Sequence, residues 1–131
     1  ALARVRDLGF ALDRLFAGPL GDAVDPARIV AAGHSYGANT TLLAAGATVW
    51  RDGRPLSLRE PRLRAAVAIS APPFYGEADP QAILGAVAVP SLHVTTTDDV
   101  IRIPGYHSTP EDRLAVFAAT GGPYKWLAQF N

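Results

Sequence analysis

"RIVAAGHSYGANTTLLAAG", residues 28–46, decides how this chain is read. "RIVAAG" is short and apolar, as a strand buried inside a sheet is. Residues 38–49, rich in Ala, Leu and Thr, have the composition of a helix packed on that sheet. Between them lies Gly33-His34-Ser35-Tyr36-Gly37, a Gly-x-Ser-x-Gly. Placed between strand and helix, such a turn strains the serine backbone and projects its hydroxyl from the carboxyl edge of the sheet. Glycine is expected at 33 and 37 because side chains there would collide with the neighbouring strand and helix. The helix that follows turns its positive end and its first N–H groups toward the serine. Ser35 is therefore the candidate nucleophile, and the Tyr36 backbone N–H a candidate oxyanion donor. The competing reading is a serine in an ordinary strand-to-helix turn.

The pattern continues on both sides. Residues 1–16, "ALARVRDLGFALDRLF", bring Leu2, Val5, Leu8, Leu12, Leu15 and Phe16 toward one helical face, and Gly18-Pro19 ends the helix. Residues 51–63, with Gly, two prolines and many charges, read as an exposed connection. "RAAVAIS" (64–70) is a second buried strand, followed by the turn "APPFYG" (71–76). Residues 80–87 form a short helix opened by proline. "SLHVTTT" (91–97) is a third strand. Thr109-Pro110-Glu111-Asp112 starts a helix that runs to about Thr120, and "YKWLAQF" (124–130) is the last strand. Helices alternating with strands predict an α/β fold, a three-layer αβα arrangement around a mostly parallel sheet. The length of 131 residues suits a single domain.

Composition narrows the function. Twelve Lys and Arg balance twelve Asp and Glu, so there is no electrostatic case for nucleic acid or an acidic membrane surface. The arginines between Arg51 and Arg64 suit a solvated loop. There is no cysteine, which excludes thiol chemistry and zinc-thiolate sites. The three histidines lack convergent carboxylate spacing, so no metal is expected, nor any phosphate-binding loop. No apolar run approaches a membrane span. There is no methionine either, even at position 1, so a processed start or an excised piece of a longer chain is expected.

"RIVAAGHSYGANTTLLAA" resembles the nucleophile elbow of the α/β-hydrolase superfamily, in particular bacterial esterases related to dienelactone hydrolases and platelet-activating-factor acetylhydrolase-like lipases. The resemblance covers nearly the whole chain, from the helix before the elbow to the last strand. It implies an incomplete α/β-hydrolase fold, with residues 1–131 the carboxyl-terminal portion of one domain. It implies a serine hydrolase acting on small-molecule carboxylic esters through an acyl-enzyme on Ser35, without a cofactor. It also implies an acid after the strand after next. "PSLHVTTTDDVIRIPG" fits: Pro90 opens the strand, Thr96 stands where the family has glycine, and Asp99 is the third residue on. Asp98 is the alternative acid.

The base is harder to place. His34 adjoins Ser35 on a turn where neighbours diverge, and His93 lies inside a strand. His107 precedes the last helix. The resemblance implies a histidine after the last strand, past Asn131, and a second oxyanion donor upstream of Ala1. Pro72, Phe74 and Tyr75 are the candidate substrate-binding residues, because ligands of open α/β sheets bind at the carboxyl edge. "IRIPGYHS" (101–108) is a candidate second wall. The alternative to an enzyme is a non-catalytic fragment or interaction module of the same fold. In either case an exposed sheet edge is expected to favour self-association.

Overall fold

In the computed structural model, residues 2–77 and 79–131 are described; Ala1, the first residue of the expected opening helix, lies outside them. The elements run α1 (Leu2–Ala17), a 3₁₀ turn (Gly21–Ala23), β1 (Ile29–His34), α2 (Tyr36–Ala44), β2 (Thr48–Arg51), β3 (Arg54–Ser57), β4 (Leu63–Ile69), α3 (Pro80–Leu84), β5 (Ser91–Thr96), α4 (Pro110–Ala119) and β6 (Lys125–Phe130). Strands β1, β4, β5 and β6 lie side by side in that order, and every pairing is parallel. This is the α/β architecture expected, a parallel sheet with helices packed on it.

The register explains what is buried. In a parallel sheet, paired residues share a face, and successive residues alternate between faces. Ala66 pairs with Ser91 and Ala68 with His93, and all four are buried. α4 covers this face at His93, whose ring meets that of Phe117 edge-on at 5.4 Å. α2 covers it at Gly33, where the two backbones almost touch. The other face carries Val30, Leu92 and Trp126, all exposed, with Val67 paired to Leu92. The core is rich in alanine, and its largest fully buried side chains are Leu42, Leu43 and Leu84. Small residues let α2 approach the sheet closely. α1 contributes Val5 to the core. It is tied down by Arg62, which bonds to Asp13 and to the Gly9 carbonyl while pairing with Glu60.

Three expectations about the elements are corrected. α2 ends at Ala44, not near residue 49, because Gly46 takes a φ of 124° and carries the chain out of the helix. The exposed connection at 51–63 is partly strand. β2 and β3 form an antiparallel hairpin in a separate two-stranded sheet, with Asp52-Gly53 as its two-residue turn. Both turn residues have positive φ, 51° and 72°, as a type I′ hairpin needs. An Asp-Gly pair after a β-branched run was the signal, masked by the alanine-rich sequence before it. The short helix at residue 80 also stops at Leu84, three residues early.

Candidate active site

Ser35 stands between the last residue of β1 and the first of α2, with φ 53° and ψ −122°. Those values lie outside the regions that L-residues favour. Two hydrogen bonds hold the turn. The Ser35 N–H donates to the Ile69 carbonyl at 2.8 Å, and the Ala38 N–H donates to the Ser35 carbonyl at 2.8 Å. A third constraint is steric. A Cβ at Gly33 would lie 2.1 Å from the Gly37 carbonyl oxygen and 2.7 Å from Thr41 Oγ1. Gly33 is thus glycine because α2 crosses directly above it. Gly37 is different: a Cβ there would meet nothing within 4 Å among the described residues, so the expected clash at that position is not found.

Tyr36 opens α2, which places its backbone N–H at the positive end of the helix. Its ring, 45% exposed, lies under the Arg4 guanidinium at 4.7 Å. A cavity of about 350 Å³ opens beside Ser35. Pro72 and Tyr75 line one side, and Ile101, Ile103 and Tyr106 the other. The two walls meet where the Tyr75 hydroxyl donates to the Tyr106 carbonyl at 2.8 Å, with the rings edge-on at 5.4 Å. Phe74 does not line this cavity. It packs against the core and faces a smaller cavity between α3 and α4.

The second wall has a defined shape. Ile101 and Ser108 exchange two backbone hydrogen bonds, at 2.9 and 3.1 Å, closing a loop. Its tip turns through Pro104 and Gly105, where Gly105 has φ 80° and the Tyr106 N–H returns to the Ile103 carbonyl.

Asp99 follows β5 at the same carboxyl edge. Its carboxylate is largely buried, whereas Asp98 is exposed. Thr95 Oγ1 donates to Asp99 Oδ2 at 2.8 Å, and Arg113 Nη2 lies 3.2 Å from Oδ1. Burial raises the Asp99 carboxyl, but hydrogen bonds from Thr95 and Ser70 and the Arg113 charge outweigh it and hold the group below its ordinary value. Ser70, at φ 50°, is the residue that leaves β4, as Ser35 leaves β1. Its N–H bonds the Val94 carbonyl at 2.8 Å, so Ser35, Ser70 and the Asp99 turn share one edge of the sheet. Ser70, Thr95 and Arg113 were not singled out from the sequence, because nothing local marks a serine, a threonine or a helical arginine as a partner for an acid.

The histidines are dispersed. His34 is exposed and shares a sheet face with Val30, and His107 is exposed in the loop before α4. His93 is 3% exposed beneath α4, and burial, with a smaller push from Lys125, lowers its pKa to about 4. Its Nε2 has no hydrogen-bond partner. His93 is therefore held neutral as part of the core. The folded pKa lies below the unfolded value of 6.5, so unfolding takes up a proton. Stability from this group is fully present above pH 6.5 and falls away toward pH 4, by about 3 kcal/mol in all. A His93→Leu variant should lose that slope in urea titrations between pH 7 and 4. An unchanged slope would show that His93 does not cause it.

Among the described residues, no group of three or more His, Asp or Glu could hold a metal ion, and no helix is long and apolar enough to cross a membrane. No protein-family model matches the chain, and no curated protein matches it.

Proposed function

We propose that this chain carries the nucleophile and the acid of a serine hydrolase acting on carboxylic esters. One observation carries the reading: Ser35 holds φ 53° and ψ −122° at a strand-to-helix junction, over a glycine that admits no Cβ. A conformation costing on the order of 1–3 kcal/mol persists where the surroundings enforce it, which is where reactive groups are held. In this reading Ser35 Oγ attacks the ester carbonyl carbon. A C–O bond forms, and the carbonyl electron pair moves to oxygen, facing the Tyr36 N–H. The serine proton passes to a histidine and then to the departing alcohol, leaving an acyl-enzyme that water hydrolyses. Asp99 orients that histidine and stabilises its cation. Among the described residues no histidine is hydrogen-bonded to Ser35 or Asp99, and in this reading the base is a histidine outside them. The cavity beside Ser35 is lined by apolar and aromatic side chains without a charged group, which favours an uncharged apolar acyl or alcohol group.

A fluorophosphonate probe applied to the full-length protein, followed by peptide mapping, tests the assignment. The label should fall on Ser35, and p-nitrophenyl butyrate should be hydrolysed. Absence of label at Ser35 rejects the reading. Labelling that disappears in His107→Ala would move the base to His107.

A second reading has its own support. Val30, Leu92, Trp126 and Phe130 are exposed on one sheet face, and β1 and β6 are the outer strands. Such a surface suits an interaction module that associates through its sheet. An unlabelled protein that dimerises in sedimentation experiments would favour this reading over the enzyme.

A further inference from the structure

We propose that Arg113 is the positioning residue of this site, a buried cation that holds the acid and the cavity wall in one fixed relation. The inference rests on the ester-hydrolase reading of Ser35 and Asp99. Arg113 is an arginine at a helix position where an apolar residue is expected. On α4 the buried positions are Arg113, Val116 and Ala119, one helical face. Arg113 is 3% exposed. A guanidinium taken out of water must be paired, or it costs several kcal/mol.

Its partners belong to the two ends of one loop. Nη1 donates to Ser108 Oγ at 2.8 Å, and Ser108 is fully buried. Nη2 lies 3.2 Å from Asp99 Oδ1. Between those ends run Ile101, Ile103 and Tyr106, which wall the cavity beside Ser35. Residue 108 is also where the loop closes on Ile101. The helix that carries Arg113 is itself firmly started. The Thr109 N–H donates to Asp112 Oδ2 at 2.7 Å in a capping box, and Pro110 follows. A rigid helix thus delivers a planar fork to the base of the loop.

Stability alone is a poor account of this arrangement. Buried ion pairs are often neutral or unfavourable beside apolar residues of equal volume. This one is also incompletely satisfied: neither Arg113 Nε nor Nη2 has a hydrogen-bond partner, and Nη2 meets Asp99 as an ion pair only. What the fork does supply is geometry. Thr95 Oγ1 donates to Asp99 Oδ2 and the Arg113 charge faces Oδ1, so each carboxylate oxygen has its own partner. Even with Ser70 also donating to Asp99, the four lone pairs of the two oxygens are not exhausted, and the carboxylate can still accept a hydrogen bond from a histidine. Lysine could keep the charge but not span both partners.

The test uses Arg113→Met, Arg113→Lys and Ser108→Ala in the full-length protein. Three quantities are read: the rate of fluorophosphonate labelling of Ser35 against pH, the thermal melt, and the carboxyl ¹³C titration of Asp99. Arg113→Met should slow labelling by about 10- to 100-fold, the cost of misplacing a group by roughly an ångström. Its acid limb should move up by about one pH unit, because Asp99 loses its cation and its negative charge on the base is no longer offset. Arg113→Lys should keep the limb and lose rate. A folded Arg113→Met with the wild-type rate and limb would overturn the proposal. If that variant fails to fold, Ser108→Ala decides: it removes one arm, should slow labelling without moving the limb, and an unchanged rate is fatal to the idea. If the wild type is never labelled, the hydrolase reading fails by itself. The Asp99 titration then stands alone, and an Asp99 pKa equal in wild type and Arg113→Met rejects the clamp as well.

Discussion

Gly33→Ala is expected to destabilise the fold by about 3 kcal/mol or more, the upper range for overpacking a core. The added methyl would lie 2.1 Å from the Gly37 carbonyl oxygen and 2.4 Å from its carbon. Both are backbone atoms in the first turn of α2, so no side-chain rotation relieves the contact. α2 must lift from β1, and its buried residues Leu42 and Leu43 must move with it. The same displacement pulls on the Ser35 turn, so labelling of Ser35 should fall together with the melting temperature. Gly37→Ala is the control. A Cβ there meets nothing within 4 Å, and alanine favours a helix over glycine, so this variant should match or exceed the wild type by about 0.5 kcal/mol. Calorimetric or urea melts of the two variants separate the cases. Equal losses at 33 and 37 would mean that the approach of α2 to β1 is not what requires the first glycine.

Ser35→Gly should abolish labelling and ester hydrolysis while making the fold more stable. Without Oγ there is no nucleophile, and loss of a serine nucleophile costs on the order of 10⁶-fold in rate. Glycine adopts φ 53° and ψ −122° without the Cβ conflict that serine suffers there. Relief of that strain should raise stability by about 1–2 kcal/mol, less the entropy that glycine loses on folding. A chain of this size would then melt several degrees higher. A serine kept at a cost in stability is what a functional group looks like. If Ser35→Gly is less stable than the wild type, the strained serine is held by interactions that repay it, and the structural reading of the turn gains.

Much of this was legible from the chain. Gly33-x-Ser35-x-Gly37 between an apolar run and a helical run specifies its turn through neighbours in sequence, and the structure has the turn there. β4, β5, α4 and β6 also follow from local signals: apolar runs of strand length, and Thr109-Pro110 with Asp112 at the start of a helix. Where the local signals conflicted, the reading failed. Ala44, Ala45 and Ala47 are all fully buried, and their composition concealed that the chain leaves the helix at Gly46 and returns as a hairpin.

The sequence by itself determined the four strands of the main sheet, the helices that alternate with them, the α/β class and the candidate serine, because each depends on spacing or turn chemistry within a few residues. Only the tertiary structure decided between Asp98 and Asp99 as the buried, partnered acid, since that depends on Thr95 beneath it and Arg113 from a helix that begins eleven residues later. It also decided that Ile101, Ile103 and Tyr106 face Ser35 across a cavity, and that His93 lies neutral under α4. Those facts arise where residues distant in the chain displace water from one another, and no short stretch of sequence records which residues those are.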